Sequence, residues 1–172
     1  FFSSQPITFK RLYVFCLLGY SLSGFIDACT SYGTHLFWPL DNERVAFHLI
    51  SIIDPIFTSV LMLAVFIAWR KQQARIAHIS LLLCGCYLLL GAFQLNRATD
   101  AAEELAQSRQ HVVEKLIVKP SFANILVWRS TYIANETIYV DAIRAGLPDT
   151  KAYTGSSIPL FVPERDAIGI PK

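Results

Sequence analysis

Three long apolar runs dominate the first half of the chain: Leu12 to Cys29, Leu49 to Trp69, and His78 to Leu95. Each approaches the ~20 residues that a helix needs to cross a hydrocarbon core ~30 Å thick. Three such runs in a short chain leave too little polar sequence to cover them as buried helices of a soluble protein. The pattern therefore predicts three transmembrane helices. Lys10 and Arg11 precede the first run, and Arg70, Lys71 and Arg75 fill the link between the second and third, whereas the Thr30 to His48 loop carries Arg44 alone. The positive-inside rule then puts the N-terminus and the Arg70–Arg75 link in the cytoplasm, and the Thr30–His48 loop and everything after Asn96 outside. Asp54-Pro55 interrupts the second run, because Asp is a favoured N-cap and Pro a favoured first helical residue. Its crossing part becomes Ile56 to Trp69, about 21 Å. Leu49–Ile53 is then expected to form a re-entrant turn or to precede a Pro kink.

The third run has no breaker at its end. Ala101, Leu105, Val112 and Leu116 continue a helical period beside Glu103, Glu104, Arg109 and Glu114, which predicts an amphipathic stalk as far as Lys119-Pro120. Leu126 to Ala134 and Thr137 to Ile143 are rich in β-branched and aromatic residues and flank Asn135-Glu136, the signature of a β-hairpin. Asn135-Glu136-Thr137 also fits a glycosylation sequon, but a tight turn is the simpler role. Gly146-Leu147-Pro148-Asp149 reads as a further turn, and the tail from Tyr153 is rich in Gly, Ser and Pro. The expected fold class is an α-helical integral membrane protein with three transmembrane helices, a helical stalk and a small C-terminal β-hairpin region. Its domains are a transmembrane bundle (1–97) with an outer loop (30–48), the stalk (98–119), and a small extramembrane β-rich region and tail (120–172).

Composition supports the membrane reading. The chain is 53% hydrophobic and 16% charged, against about 45–50% and about 25% for soluble domains. A net charge of +2 with no basic run outside the helix flanks gives no reason to expect nucleic acid as a partner. The bilayer is the expected partner. Cys16, Cys84 and Cys86 lie inside apolar runs and Cys29 near an interface, so all four read as packing residues. Phe1 is not an initiator Met and no signal peptide precedes the first run, so the chain reads as a fragment or processed product.

The polar residues that remain gather at one membrane surface. Stepping back from Asp27 by three and four gives Gly24, Ser23, Tyr20, Gly19 and Cys16, a mostly small or polar face expected to look into the bundle. A carboxylate at the end of that face is a functional candidate by default. Asp54 lies on the same side, where capping and ligation are compatible. Between them stand His35, Asp41, Glu43 and His48, of the types that bind zinc or another first-row metal. None of these pairs has the i, i+4 spacing that fixes two ligands on one helix face. His78 on the cytoplasmic flank and His111 on the stalk carry no assigned role. Phe37 and Trp38-Pro39 read as an interfacial anchor. No nucleophile elbow, Walker loop or dinucleotide glycine pattern is present.

Leu22–Leu40, reading LSGFIDACTSYGTHLFWPL, resembles the bacterial inner-membrane metal-dependent hydrolase family, which is LexA-regulated and YdjM-like. The likeness continues through Arg44-Val45-Ala46-Phe47 and Ile52-Ile53-Asp54-Pro55. It resumes at Pro120, Asn124, Leu126, Trp128 and Arg129. The resemblance implies a multi-pass inner-membrane protein with a metal-dependent hydrolytic site. Two departures bear on the chemistry. Family members carry a His four residues before the matching Asp, where this chain has Ser23, a poor zinc ligand beside imidazole. The family's upstream His-rich segment would lie before Phe1. His35 stands where Gln is common, so it is not a family ligand.

The expectation that follows is a membrane-bound metal-dependent hydrolase acting at the outer face of the bacterial inner membrane. Asp27 would be metal ligand or base, with Asp54 a second catalytic carboxylate. Thr30, Tyr32, Arg44 and Arg129 would bind substrate, the arginines suiting an anionic group such as a lipid phosphate. The alternative is a catalytically degenerate membrane scaffold or partner-binding protein. A transporter is disfavoured, because polar residues at one surface give a solute no continuous path.

Overall fold

The computed structural model describes residues 8–146 and 148–162; Phe1, Leu147 and the end of the Gly/Ser/Pro-rich tail lie outside them. Three helices lead into four strands: α1 (Phe9–Cys29), α2 (Pro55–Lys71), α3 (Ala74–Ser108), β1 (Lys115–Pro120), β2 (Val127–Ala134), β3 (Thr137–Ala145) and β4 (Thr150–Pro159).

Among the described residues two helices rather than three are long and apolar enough to cross a membrane, α1 and α3. The third expected span fails because of local chemistry at its start. Asp54 Oδ1 accepts from the backbone N–H of Ile56 at 3.1 Å and of Phe57 at 3.0 Å. With Pro55 as the first helical residue, this fixes where α2 begins. Leu49–Ile53 is therefore not helical, and α2 keeps 17 residues, about 26 Å of helix, against the ~30 Å of a hydrocarbon core. Arg70 and Lys71 in its last turn complement the helix dipole. The Asp54 carboxylate also accepts, through Oδ2, the Tyr87 hydroxyl at 2.8 Å. One buried side chain thus starts α2 and ties it to α3, against which α2 packs.

The expected three-helix bundle is also corrected. Among the described residues α1 makes no extended contact with α2 or α3. Its small-residue face meets no helix: Gly19 has open space around it, Cys16 and Ser23 are exposed, and Tyr20 is 83% exposed. Only Ala28 and Cys29 are buried, where the returning loop covers them. Of the four cysteines, Cys29 and Cys84 are packing residues, while Cys16 and Cys86 are exposed on the helices.

The stalk prediction fails past Ser108. α3 stops there, Gln110 turns the chain with a positive φ of 57°, and Lys115–Pro120 is strand β1 rather than helix. The expected hairpin forms the centre of a four-stranded antiparallel sheet in the order β1-β2-β3-β4. Asn135 and Glu136 both take positive φ (49° and 54°) between the paired Ala134 and Thr137, the left-handed geometry a two-residue hairpin loop requires. Part of the tail, Thr150–Pro159, is strand β4.

The upper half of α3 lies under this sheet. Ala98, Ala102 and Ala106 recur at steps of four and are buried, so the sheet comes close to the helix. Trp128, Tyr132, Ile143 and Ala145 point inward and are fully buried, as strand alternation dictates. Gln94 Nε2 donates to Ala145 O at 2.8 Å, and Arg97 donates to Gly146 O at 2.6 Å, which joins the end of β3 to the helix. At the far end Arg109 forms two bonds to the buried Asp141, at 2.7 and 3.0 Å. That contact raises the guanidinium's pKa above its ordinary value.

Asp54→Ala leaves two helix N–H groups and the Tyr87 hydroxyl without their acceptor. It is expected to cost about 2–4 kcal/mol, and Tyr87→Phe about 1 kcal/mol. Thermal unfolding in detergent micelles checks the order of the two.

Candidate functional site

The loop after α1 folds back on the end of that helix. Phe47 N donates to Ala28 O at 2.8 Å, and Leu49 N and Ile50 N donate to Cys29 O at 2.9 and 3.2 Å. Gly33 makes the turn possible: it has a φ of +70°, and a Cβ there would run into the Val45 carbonyl. The Thr34–Val45 bridge closes beside it, with bonds of 3.0 and 2.9 Å. Gly91 serves the same end on α3, where a Cβ would collide with the Leu49 carbonyl.

This folding joins four of the six expected site residues along one rim. Thr30 Oγ1 donates to Asp27 O at 2.8 Å and accepts from Tyr32 N and Gly33 N at 3.3 Å each. Arg44 Nη1 reaches Tyr32 O at 3.4 Å, and its guanidinium carbon lies 4.2 Å from the centre of the Tyr32 ring. Hydrogen bonding and charge from Arg44 hold the Tyr32 phenol below its ordinary pKa. Asp27 is exposed at the last turn of α1, and no described side chain bonds its carboxylate. The neighbouring turn presents Trp38 (70% exposed) and Leu40 (93%).

The other two site residues are placed differently. Asp54 is buried, and its carboxylate takes the three bonds described above. Arg129 is exposed on β2, paired with Lys119 and Ala142, and no bond joins it to the rim among the described residues. The segment around it has structural work: Asn124 Oδ1 accepts from Leu126 N at 3.0 Å and Val127 N at 2.7 Å, and Trp128 Nε1 donates to Ile125 O at 3.0 Å.

Zinc or another first-row metal needs about three protein ligands. His35 Nδ1 bonds Asn42 O at 2.9 Å, and Asp41 Oδ1 accepts from Glu43 N at 2.9 Å. Among the described residues no three His, Cys, Asp or Glu side chains gather where they could hold a metal ion. The described donor set therefore does not fit a resident metal. Ser23 is exposed one turn before Asp27 on the same helix face.

Sequence reasoning missed Tyr87, Gln94 and Arg97. The last two were signalled by polar side chains three residues apart at the end of an apolar run. It also missed the environment of His48, whose Nδ1 is buried without a partner.

Two helices long and apolar enough to cross a membrane, a polar rim ending the first, and a β-sheet on the second fit a membrane protein. The chain matches the YdjM inner membrane protein family over residues 1–98, more than half its length, and it belongs to that family. It is therefore an inner membrane protein. The match covers α1, α2 and α3 as far as Ala98 and stops short of the sheet. No curated protein and no solved structure matches the chain.

Burial holds His48 below its ordinary pKa, with Lys119 adding to the shift and a hydrogen bond to the Ser31 backbone opposing it. As pH falls, the unfolded chain takes up this proton first. The contribution to stability is therefore complete above about pH 6.5 and is lost as pH falls through the folded value. His48→Asn, which keeps a residue tolerant of the positive φ of 56°, is expected to flatten that slope in thermal unfolding between about pH 5 and 7.5.

Proposed function

We propose that the chain is a membrane-bound hydrolase acting at the outer face of the inner membrane, with α1 and α3 both crossing and the Asp27–Arg44 rim as its site. The observation that carries this reading is the exposed Asp27 carboxylate, which takes no hydrogen bond among the described residues, on a turn whose backbone bonds run from the Asp27 carbonyl through Thr30 and Tyr32 to Arg44 at the end of an apolar helix. Such a carboxylate can take a proton from water as the water oxygen attacks the phosphorus of a phosphodiester; the P–O bond to the headgroup then breaks and the leaving oxygen takes a proton from the protonated carboxyl or from solvent. The Arg44 guanidinium, steadied on the Tyr32 ring, offers a planar set of donors to an anionic oxygen. Exposed Trp38 and Leu40 suit the headgroup level of a bilayer. A phosphate-bearing lipid headgroup is the substrate class this combination fits. Asp54 supports the site by fixing the loop, and Arg129 lies outside it.

The experiment is headgroup release from phosphatidylglycerol and phosphatidylethanolamine vesicles containing the purified full chain. Asp27→Asn is expected to lower the rate about 100-fold or more, with Arg44→Ala weakening substrate use and neither changing the unfolding midpoint. Hydrolysis that survives Asp27→Asn unchanged would sink the proposal.

The second reading is a non-catalytic membrane scaffold or partner-binding protein. It is favoured by the described donor set, in which Asp54 is committed to structure and Asp27 has no co-ligand. Ser23→His separates the two, since it restores an i, i+4 His–Asp pair on α1. Tighter zinc binding in that variant supports a site framed for chemistry; unchanged binding supports the scaffold.

A further inference from the structure

Where the apolar stretch of α3 ends, the helix carries a polar stripe that the sheet leaves uncovered. Asn96, Thr99, Glu103 and Gln107 follow one another at steps of three and four, so they share one face over about 16 Å. β1 forms the facing wall. Two adjoining cavities of about 380 and 440 Å³ lie between them and share Glu103 and Leu116, which makes one elongated groove with an apolar floor. The groove is separate from the Asp27 rim.

A histidine stands at each end, and the structure sets the state of one of them. Arg109, anchored on Asp141, donates to the Tyr132 hydroxyl oxygen at 2.7 Å. Tyr132 is fully buried, so its own O–H needs an acceptor, and His111 Nδ1 lies 3.0 Å away. That assignment leaves Nε2 as the protonated ring nitrogen, an N–H donor. The His111 ring is pinned against Tyr139, with centroids 4.5 Å apart. At the other end, His48 Nδ1 is buried and takes no hydrogen bond among the described residues. The side chains of Asn96, Glu103 and Gln107 take no hydrogen bond among the described residues.

The chemistry of the lining narrows the ligand. Glu103 and Glu114 are balanced by Lys115 in the groove and Lys119 beside His48, so nothing selects a strongly charged molecule. No metal-holding cluster forms there among the described residues. Amide, carboxylate, hydroxyl and imidazole groups together supply both donors and acceptors along an apolar floor. We propose that this groove binds the hydroxyl groups of an extended, neutral saccharide chain on the water side of the membrane. The rival occupant is a peptide adding to the edge of β1, which among the described residues pairs with β2 alone. Lys115, Lys119 and Pro120 on that strand are the residue types that discourage such pairing.

The test is titration of the isotope-labelled full chain in lipid nanodiscs with neutral cello-, malto- and chito-tetraose, following the imidazole nitrogens of His111 and His48. A saturable shift with at least one saccharide is expected, with His111 protonated on Nε2 before addition. Glu103→Ala and His111→Ala should each weaken binding about tenfold. His111→Gln, which keeps an N–H at similar reach, should lose less. No saturable shift with any saccharide overturns the proposal. So does undiminished binding in both alanine variants, or binding of an extended peptide at the groove in place of saccharide.

Discussion

The carboxylate of Asp54 is the interaction on which the rest depends. A buried carboxylate is tolerated only when its hydrogen-bonding capacity is used, and here two helix N–H groups and the Tyr87 hydroxyl use it. Because it starts α2 at Pro55, the preceding apolar residues cannot join that helix. They return along the end of α1 instead, where Ser31 N donates to Ile50 O at 3.1 Å. That return covers Ala28 and Cys29, seats Leu49 against Gly91, and leaves Asp27, Tyr32 and Arg44 on one open rim. Asp54, expected as a catalytic carboxylate, is buried and fixes the loop that runs beside Asp27.

α3 is the second organising element, because one continuous helix carries both α2 and the sheet. Its lower part is apolar, with one face against α2 and another exposed. Its upper part carries alanines against the sheet, with Gln94 and Arg97 marking the change. Ser51 bridges the two regions, its hydroxyl accepting from Ala123 N at 3.1 Å in the β1–β2 turn. The sheet is therefore attached both to the helix and to the loop that shapes the rim.

Much of this was legible in the sequence where chemistry is local. Asp54-Pro55 announced a helix start, and Asn135-Glu136 between two β-branched runs announced a hairpin. The stalk was misread because Leu105, Val112 and Leu116 keep a helical period with no Gly or Pro to break it. α3 ends where Gln110 takes a positive φ and Arg109 is tied to Asp141, a long-range contact that no spacing reveals. The Gly-Ser stretch of β4 looked irregular, yet its pairing with β3 decides its form, and Gly155 N bonds Asp141 Oδ1 at 2.8 Å. The small-residue face of α1 fits a helix neighbour or a lipid equally well, and its pattern could not say which. That Asp27, Thr30, Tyr32 and Arg44 lie close together was readable because a short loop connects them. The place of Arg129 was not, because it depends on sheet register.

The proposed function places the rim at the outer surface of the inner membrane. Its most direct measurement is labelling of Tyr32→Cys with a membrane-impermeant maleimide, in a chain whose four native cysteines are replaced, in cells with only the outer membrane opened. Position 32 should label at once. Labelling that appears only after the inner membrane is broken would contradict the placement of the site.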